Sequence, residues 1–469
     1  MTKQEAAIKY ITENYLEYRR LRHDIVADKL QVRLLGDEAK GKRQEYWKEL
    51  SKHDINSIVC HCAQEYDANI TSREVMTALQ SDLIPDVHPL REYVLSCGGW
   101  TEEQPDWIDW VASQVRVKTS PESATDRPKG LSERTACCQT TMLLDRPYGA
   151  DRPMNLTSEA GLTVSEAHGL TSNSSQSERS KADRLWRGCF KKWFVAMVAS
   201  WMKDEVVNHQ VLVLIGRQGI YKTTWLEHLI PPHLRAYACK LANSNDLNKD
   251  ERLRIAEFGL ISLDEIDSMN NRELNQLKSV ITATDVNERA AYAYTKERRV
   301  RLASFCASGN RRDFLTDITG NRRWLPFEVE SIQNPFYTLL PYERMYAQAW
   351  ALAQDPLFSY WFDLDEIEVL EQHNQHFRDE SNEEQLLPIL FDVPAEGRGE
   401  FMTTAQISER LVTYGNIKKP MALSRLGMVL GAAGYQSTRP KIGGRLIRGW
   451  LVYQRDTDEI ASLKRLLKE

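Results

Sequence analysis

The stretch that decides the fold is Gly216-Arg-Gln-Gly-Ile-Tyr-Lys-Thr-Thr224, which directly follows the apolar run Val211-Leu-Val-Leu-Ile215. The apolar run predicts a buried strand, and the residues after the loop predict a helix. A glycine-rich loop in this position presents backbone N–H groups and a positive helix terminus to phosphate. Its lysine, Lys222, reaches the β- and γ-phosphates, and the hydroxyl of Thr223 ligates Mg²⁺. We therefore expect ATP and Mg²⁺ at Gly216, Gln218, Gly219, Ile220, Tyr221, Lys222, Thr223 and Thr224.

One position departs from the phosphate-loop pattern G-x-x-x-x-G-K-[ST]. The pattern places glycine before the lysine, and this sequence has Tyr221 there. A tyrosine fits only if its backbone dihedral angles are allowed and its ring points away from the nucleotide. The alternative is a strand–turn–helix corner that merely contains glycines.

Two further apolar runs end in polar residues. The run Gly259–Leu263 precedes Asp264 and Glu265, and the run Arg301–Cys306 leads to Asn310. Open α/β sheets bind ligands at the carboxyl ends of their strands. We therefore expect Asp264 to hold Mg²⁺ through water and Glu265 to act as a general base. Asn310 would hydrogen-bond the γ-phosphate or the attacking water. The alternative for the acidic pair is a helix cap.

Paired arginines, Arg322 and Arg323, follow these elements. A planar guanidinium inserted into the site of a neighbouring subunit stabilises the charge of the transition state. We expect one of the two to act in this way, with Arg322 preferred.

In this order, the four elements resemble the virulence-associated protein E family of phage and mobile-element proteins, which are similar to superfamily 3 helicases within the AAA+ ATPases. The segments His88-Pro-Leu-Arg-Glu-Tyr93 and Thr319-Gly-Asn-Arg-Arg-Trp-Leu-Pro326 also match this family. The resemblance implies a homo-hexameric ring with ATP sites between subunits and single-stranded DNA in the pore. It places a pore hairpin with its tip near Tyr294–Arg299.

Basic side chains near this tip are the expected contacts to the DNA backbone. They are Lys296, Arg298 and Arg299, in a segment that is basic although the whole chain carries a net charge of −5. Cations on a loop, with neighbouring tyrosines that stack on bases, suit single strands bound without sequence readout. The alternative is a solvated basic edge strand at a subunit interface.

Composition limits the broad class of protein. A chain of 469 residues with a net charge of −5 is not a histone-like protein that coats nucleic acid through bulk charge. It has no apolar run long enough to span a membrane, and no export signal follows the N-terminus. Its eight cysteines include no paired Cys-x-x-Cys units, which fits a reducing compartment. We expect a cytoplasmic protein without a membrane partner.

The expected fold is multidomain α/β. Residues 1–118 form a mostly helical N-terminal domain with a β-hairpin, beginning with a helix over Glu5–Arg22. Residues 119–180 are a Ser/Thr-rich linker or insertion. Residues 181–378 form a P-loop AAA+ ATPase domain, similar to superfamily 3 helicases, with a helical extension. Residues 379–400 are a second linker.

Residues 401–469 are expected to form a small winged-helix-like domain. Two helices precede a glycine-rich hairpin that carries Arg439, Lys441 and Arg445. Such a hairpin could contact duplex phosphates, although winged helices also bind proteins.

The function we expect is an ATP-hydrolysing DNA translocase or helicase that replicates a phage or mobile genetic element. A separate chain would supply any primase, since no primase-like active site is recognisable. One alternative is a nucleotide-switched replication initiator that binds DNA or a replication protein without unwinding. Another is a winged-helix regulator whose ATPase only controls oligomerisation. A small-molecule kinase is disfavoured, because that chemistry does not need the paired arginines.

Overall fold

The computed structural model describes residues 2–18, 20–34, 46–66, 69–118, 173–241, 249–288, 297–316, 321–395 and 399–466. Most of the expected insertion at 119–180, up to residue 172, lies outside these ranges. The described chain divides into two compact units. The first contains residues within 1–118, 143–310 and 325–363, and the second contains residues within 311–324 and 364–469. The protein is thus mixed α/β and has more than one unit.

The N-terminal part of the first unit combines helices with a small sheet. Its helices are Lys3–Ile11 (α1), Lys52–Tyr66 (α2), Ser72–Leu79 (α3), Pro89–Ser96 (α4) and Trp107–Ala112 (α5). Its strands are Leu21–Asp24 (β1), Lys29–Leu34 (β2), Tyr46–Glu49 (β3), Asp86–Val87 (β4) and Val115–Val117 (β5). The sheet order is β3-β2-β1-β4, in which β2 is antiparallel to β1 and β3, and β4 is parallel to β1.

The first helix is shorter than the sequence predicts. After α1 the chain makes a π-helical turn, Thr12–Leu16, and residues 21–24 form β1 rather than helix. Leu21 pairs with Val32 of β2, and both side chains are buried in the core of this part of the unit. Tertiary packing therefore overrides the local helical preference.

The rest of the first unit surrounds a larger sheet. Its helices are Asn173–Met202 (α6), Lys222–Glu227 (α7), Lys249–Glu257 (α8), Asn271–Thr282 (α9) and Tyr342–Gln354 (α10), with 3₁₀ turns at Pro232–Tyr237 and Ile266–Ser268. Its strands are Val211–Ile215 (β6), Ala238–Leu241 (β7), Leu260–Leu263 (β8), Asp285–Glu288 (β9), Glu297–Val300 (β10), Ser304–Gly309 (β11) and Trp324–Ile332 (β12). Strands β9 and β10 form a separate antiparallel hairpin.

The six-stranded sheet has the order β5-β12-β6-β11-β8-β7. Strands β6, β11, β8 and β7 are parallel, and of these β7 is not predicted from the sequence; β5 is antiparallel to β12. All five residues of β6 are buried, which explains its uninterrupted apolar sequence. Tryptophans of α6 fix this helix on the sheet: the indole N–H of Trp193 donates to the carbonyl of Phe305 (3.1 Å), and that of Trp201 donates to the carbonyl of Gly259 (3.1 Å).

The second unit contains short helices around a small antiparallel sheet. Its helices are Leu364–Asn374 (α11), Asn382–Leu390 (α12), Thr404–Gly415 (α13), Leu423–Ala432 (α14) and Thr457–Leu466 (α15), with 3₁₀ turns at Asn321–Arg323 and Gln375–Phe377. Its strands are Phe391–Asp392 (β13), Glu400–Met402 (β14), Gln436–Thr438 (β15), Lys441–Ile442 (β16), Arg445–Leu446 (β17) and Gly449–Gln454 (β18). Strand β18 pairs antiparallel with β13, β14 and β15, whereas β16 and β17 form a hairpin. The two helices and the hairpin predicted within residues 401–469 are confirmed, whereas α12 lies within the predicted linker 379–400.

No helix in the part of the chain that the structure describes is both long and apolar enough to cross a membrane.

Candidate functional site

The loop between β6 and α7 is shaped by glycines. The N–H of Gly216 donates to the carbonyl of Gly309 at 3.1 Å. A Cβ atom on Gly216 would lie 2.8 Å from the carbonyl oxygen of Val329, so a larger residue cannot be accommodated without moving the backbone. Gly219 has φ 84°, a conformation that favours glycine. Around it, Gln218 is exposed, while Ile220 and Thr224 are half-buried.

Lys222 is held at the centre of this loop. Its side chain is almost fully buried, with 6% of the residue exposed. Its Nζ donates to the carbonyls of Gly216 and Arg217 (2.7 Å each) and to Oδ1 of Asn310 (3.3 Å). Burial lowers the pKa of this ammonium group, although Asp267 and Asp264 oppose the shift. The ammonium group lies among weak carbonyl partners that phosphate oxygens could replace.

Hydroxyl groups from two elements converge on the carboxylate of Asp264, directly after β8. Ser308, in β11, donates to Oδ1 of Asp264 at 2.6 Å. Thr223, in α7, lies 3.2 Å from the same oxygen and 2.9 Å from the Ser308 hydroxyl. The other carboxylate oxygen, Oδ2, is paired with Nζ of Lys240 at 2.7 Å. Burial raises the pKa of Asp264, but hydrogen bonds from Lys240 and Ser308 outweigh it, so that the pKa lies below its usual value.

This set of oxygen atoms suits magnesium. Mg²⁺ prefers hard oxygen ligands and usually binds through one or two carboxylates together with waters and substrate phosphates. Asp264, Thr223 and Ser308 supply a carboxylate and hydroxyls of this kind. Within the described residues, no group of three or more His, Cys, Asp or Glu side chains could hold a metal by itself. One carboxylate and two hydroxyls would leave coordination positions for waters and phosphate oxygens.

Glu265 follows Asp264 at the edge of the sheet. Its backbone is left-handed, with φ 54° and ψ 46°, which is uncommon for a residue with a side chain. Its side chain is exposed and forms no hydrogen bond or ion pair with the residues that the structure describes. Nearby, the N–H of Asn310 donates to Asp267 Oδ1 at 3.2 Å. Glu265 in this left-handed turn therefore carries an unpaired carboxylate, whereas the carboxylate of the preceding Asp264 accepts the hydroxyl hydrogen bonds.

Tyr221 occupies the position at which the pattern has glycine. Its backbone is left-handed, with φ 67°, a conformation that costs a residue with a Cβ atom about 1–2 kcal/mol. The residue is 38% exposed, and its phenol oxygen lies 3.4 Å from Nδ2 of Asn334. The loop therefore keeps the glycine-type conformation at this position despite its side chain.

The basic residues predicted near a pore hairpin have different environments. Lys296 lies outside the described residues. Arg298 is 76% exposed and pairs with Asp285 at 2.6 Å. Arg299 is only 18% exposed and pairs with Asp28 at 2.7 Å and with Glu257 at 3.6 Å. Arg298 is thus much more accessible to a ligand than Arg299.

Arg301, in the same basic segment, is fully buried. Its guanidinium group donates to backbone carbonyls of Asn208, Ile281, Ala283 and Ala303. These hydrogen bonds accompany a stretch, residues 301–303, that lies outside the six-stranded sheet. Strand β11 begins at Ser304, whereas the sequence predicts a strand from Arg301. The charge of Arg301 supports the fold and is not available on the surface.

The remaining predicted residues belong to the second unit. Arg322 is exposed and Arg323 is half-buried, both in a 3₁₀ turn. Burial, together with the neighbouring Arg322, lowers the pKa of Arg323. In the hairpin β16–β17, the turn is made by Gly443 and Gly444 in left-handed conformations. The cations around this turn are all exposed and form no ion pair with other described residues: Arg439, Lys441, Arg445 and Arg448.

Sequence reasoning missed three residues of the site, namely Ser308, Lys240 and Asp267. Ser308 could have been found, because it is a polar residue at the carboxyl end of β11, directly before the Gly309–Asn310 segment singled out in the sequence. Lys240 carries no sequence signal, because β7 is short and lacks a polar motif.

Comparison with known proteins identifies the central part of the chain. Residues 168–385 match the model of the virulence-associated protein E-like domain. Among curated proteins, no significant sequence match is found.

Among solved structures, the apo structure of the C-terminal region of NrS-1 (305–718) is 11% identical, with a TM-score of 0.40, covering 96% of this chain and 99% of that chain. Another apo structure of the same region (the A form) is 12% identical, with a TM-score of 0.39, covering 93% of this chain and 98% of that chain. The family assignment rests on the sequence match, which covers β6, β8 and β11 with the loops that carry Lys222, Asp264 and Asn310. Residues 168–385 are therefore similar to the virulence-associated protein E-like domain.

Proposed function

We propose that this protein is an ATP-hydrolysing DNA translocase or helicase that acts in the replication of a phage or another mobile genetic element. The observation that carries the proposal is the convergence of Lys222, Thr223, Asp264 and Asn310 at one edge of the parallel sheet. The four side chains lie in the segments that follow three different strands, β6, β8 and β11, and each is of the type that ATP hydrolysis needs at that place.

Lys222 would exchange the carbonyls of Gly216 and Arg217 for the β- and γ-phosphate oxygens. The loop N–H groups add further donors to the same phosphates. Thr223 and Asp264, with Ser308 as an additional support, would hold Mg²⁺. The metal, when bound, supplies positive charge against the phosphate oxygens. Phosphate binding in this scheme comes from groups that are already in place.

Glu265 is the candidate general base. Its carboxylate is exposed and unpaired among the described residues, adjacent to the residue that would hold the metal. A free carboxylate can accept a proton from the attacking water, whereas Asp264 is fully engaged by hydroxyls and Lys240. Asn310, which lies within 3.3 Å of Lys222, would orient the γ-phosphate or that water.

The strand order supports an AAA+ interpretation of this domain. Strand β11 lies between the phosphate-loop strand β6 and the acidic strand β8. Because β11 lies between these two strands, Asn310 at its end would come close to the γ-phosphate, beside Lys222 and Asp264. A homo-hexameric ring, in which Arg322 or Arg323 acts in the site of a neighbouring subunit, follows from the family resemblance and remains part of the proposal.

Two surfaces are candidates for DNA. The hairpin β9–β10 carries the exposed Arg298 and would contact single-stranded DNA in a pore. In the second unit, the order α13, α14, β15, hairpin β16–β17, β18 supports a winged-helix interpretation. Its hairpin would bring Arg439, Lys441 and Arg445 to duplex phosphates.

The hairpin of the second unit also supports a second candidate function. Its exposed cations form no ion pairs within the described residues, and they could bind DNA without any pore. The protein would then be a replication initiator or regulator that switches with nucleotide and does not unwind DNA.

Binding of a fluorescent ATP analogue tests the site directly. Lys222→Ala should abolish binding, while Glu265→Gln should bind like the parent but not hydrolyse. The control is Lys118→Ala, which removes the ion pair with Glu328 next to β5 and should behave as the parent. If Lys222→Ala and Glu265→Gln both hydrolyse ATP at the parent rate, the site assignment is wrong.

A further inference from the structure

The carboxylate expected to hold the metal is already paired with a cation of the chain itself. Nζ of Lys240 lies 2.7 Å from Oδ2 of Asp264, on the side opposite the hydroxyls of Ser308 and Thr223. Lys240 is in β7, in register with Ser262 of the parallel strand β8. The N–H of Asp264 also donates to the carbonyl of Leu241 at 3.2 Å. The sheet therefore places these two side chains together, and the contact does not depend on a surface loop.

Both groups are charged at neutral pH. The hydrogen bond to Asp264 raises the pKa of Lys240, although burial opposes the shift. The pKa of Asp264 lies below its usual value, as described above. The side chains are 46% and 29% exposed. An ion pair in contact with solvent to this extent is weak enough to exchange.

We propose that Lys240 is a resident counter-ion, which neutralises Asp264 when no nucleotide is bound and leaves it when Mg²⁺ enters with ATP. The inference rests on the proposed function, because it takes Asp264 as the metal-holding residue. It adds a role for a residue that belongs to neither the phosphate loop nor the acidic strand.

Competition for the charge of one carboxylate group is the physical basis of the proposal. Mg²⁺ binds oxygen at about 2.0–2.1 Å, and an ammonium group on the same carboxylate would face a divalent charge at short range. Mg²⁺ that binds without nucleotide must therefore displace Lys240 although no phosphate charge is present to receive the released ammonium group. When the metal enters with ATP, its phosphates supply negative charge that can receive the released ammonium group. The site would thus bind Mg²⁺ alone more weakly than Mg²⁺ that enters with ATP.

A second consequence concerns Lys222. Asp264 and Asp267 are the acidic groups that interact electrostatically with it. Since Lys240 neutralises Asp264, Lys222 stays on the loop carbonyls rather than turning toward that carboxylate. Lys240 is therefore a positioning residue for the empty site, not a catalytic one.

The experiment measures binding of Mn²⁺, as a paramagnetic substitute for Mg²⁺, to the nucleotide-free protein by electron paramagnetic resonance. Lys240→Met removes the ammonium group, and we expect it to bind Mn²⁺ on the order of tenfold more tightly than the parent. Lys240→Arg keeps a cation and should bind like the parent. The matched control is Lys118→Met, which breaks the ion pair with Glu328, a pair of very similar exposure (45% and 23%). It should also bind like the parent.

A double variant ties the effect to the proposed carboxylate. Adding Asp264→Asn to Lys240→Met should remove the gained Mn²⁺ affinity. Lys240→Gln repeats the test with a polar side chain in case the methionine variant folds poorly. Thermal melting gives an independent readout, because a ligand that binds the folded state raises the melting temperature more when it binds more tightly. Mn²⁺ should therefore stabilise Lys240→Met more than the parent.

Unchanged or weaker Mn²⁺ binding by Lys240→Met and Lys240→Gln would overturn the proposal. A gain that survives Asp264→Asn would overturn it as well. Binding of the fluorescent ATP analogue is measured on the same samples. If the parent binds no ATP, the proposed function fails, whereas the Mn²⁺ comparison still decides whether Lys240 competes with a metal.

Discussion

The hydroxyl of Thr223 and the carboxylate of Asp264 lie 3.2 Å apart, although 41 positions separate them in the sequence. Thr223 follows the loop after β6, and Asp264 follows β8, two strands away in the sheet. The intervening strand β11 closes the gap with Ser308, which contacts both residues. The parallel order of the three strands is what makes one oxygen-lined site from separate segments.

Removal of the Ser308 hydroxyl should weaken the metal-dependent part of ATP binding. Ser308→Ala leaves Asp264 with one fewer donor and takes away its link to Thr223. Since the loss of a hydrogen bond to a charged group costs about 1.5–3 kcal/mol, affinity measured with Mg²⁺ should fall about tenfold or more. Affinity measured in excess chelator should not change. Ser113→Ala, which removes a hydroxyl from an exposed hydrogen bond, serves as the control. An equal loss with and without Mg²⁺ would contradict the metal-site assignment.

Glycine should be a more stable replacement for Tyr221 than alanine. Tyr221→Gly and Tyr221→Ala both remove the ring and its contact with Asn334, and only the glycine relieves the left-handed backbone. Glycine should therefore be about 1 kcal/mol more stable than alanine at this position. Melting temperatures of the two variants, together with ATP affinity, check this expectation. A glycine variant no more stable than the alanine variant would mean that the loop is relaxed in another way.

Some residues of the site could be predicted from the sequence, and others could not. Lys222, Thr223, Asp264 and Asn310 could be predicted because each lies at the end of a buried apolar run, where a parallel sheet collects polar side chains. Lys240 could not be predicted, because its role depends on the neighbouring strand and not on its own sequence context.

Two other errors of prediction from the sequence, one in surface charge and one in secondary structure, also come from long-range contacts. Arg301 looks like part of a basic surface in the sequence, yet it is buried and bound to carbonyls. Leu21 and Arg22 look helical, yet strand pairing with β2 places them in a sheet. Local patterns cannot encode such long-range partners, whereas α13, with its Thr403 cap, and the β16–β17 hairpin, with its Gly443–Gly444 turn, depend on local signals and were predicted.

Acid should destabilise the first unit through His88. This residue precedes α4, and its Nδ1 accepts the N–H of Arg91 at 3.3 Å. Burial, with the nearby Arg91, lowers its pKa from 6.5 to about 4. The folded state therefore binds fewer protons than the unfolded state between these values, and stability falls as the pH falls through this window. The loss from His88 alone would be at most about 3 kcal/mol.

The variant His88→Asn isolates this effect. Asparagine caps a helix well but does not titrate, so the variant should lose less stability than the parent between pH 7 and pH 4.5. Melting temperatures across this range give the comparison, and the other histidines contribute equally to both proteins. Parallel curves for parent and variant would show that His88 is not the acid-sensitive group.

Neutralisation of the second unit's hairpin should weaken binding to duplex DNA. The triple variant Arg439→Ala, Lys441→Ala, Arg445→Ala removes exposed cations without breaking any ion pair among the described residues. If all three contact phosphates, the slope of log affinity against log salt should become shallower by about 2–3. Fluorescence anisotropy with labelled duplex at several salt concentrations measures this slope. The control variant neutralises Lys3, Lys52 and Arg73, which are also exposed. Equal slopes for the two variants would assign the hairpin to protein contacts.

The accessible arginine of the β9–β10 hairpin should matter for single strands. Arg298→Glu should reduce stimulation of ATP hydrolysis by single-stranded DNA, since Arg298 is the more exposed arginine of this hairpin. Arg299→Ala should mainly lower thermal stability, because Arg299 is engaged with Asp28 and Glu257. Hydrolysis with and without DNA, beside melting curves, separates the two effects. The reverse pattern, with DNA stimulation lost only in the Arg299 variant, would contradict this assignment.

The central claim is that the convergent site hydrolyses ATP in a DNA-dependent way. The most direct measurement is ATP hydrolysis by the full chain with and without single-stranded DNA, at two salt concentrations, beside the variant Glu265→Gln. The account predicts hydrolysis that DNA stimulates, stimulation that weakens at the higher salt concentration, and loss of turnover in Glu265→Gln with ATP binding retained. Hydrolysis that persists unchanged in Glu265→Gln, or that does not respond to DNA at either salt concentration, would contradict it.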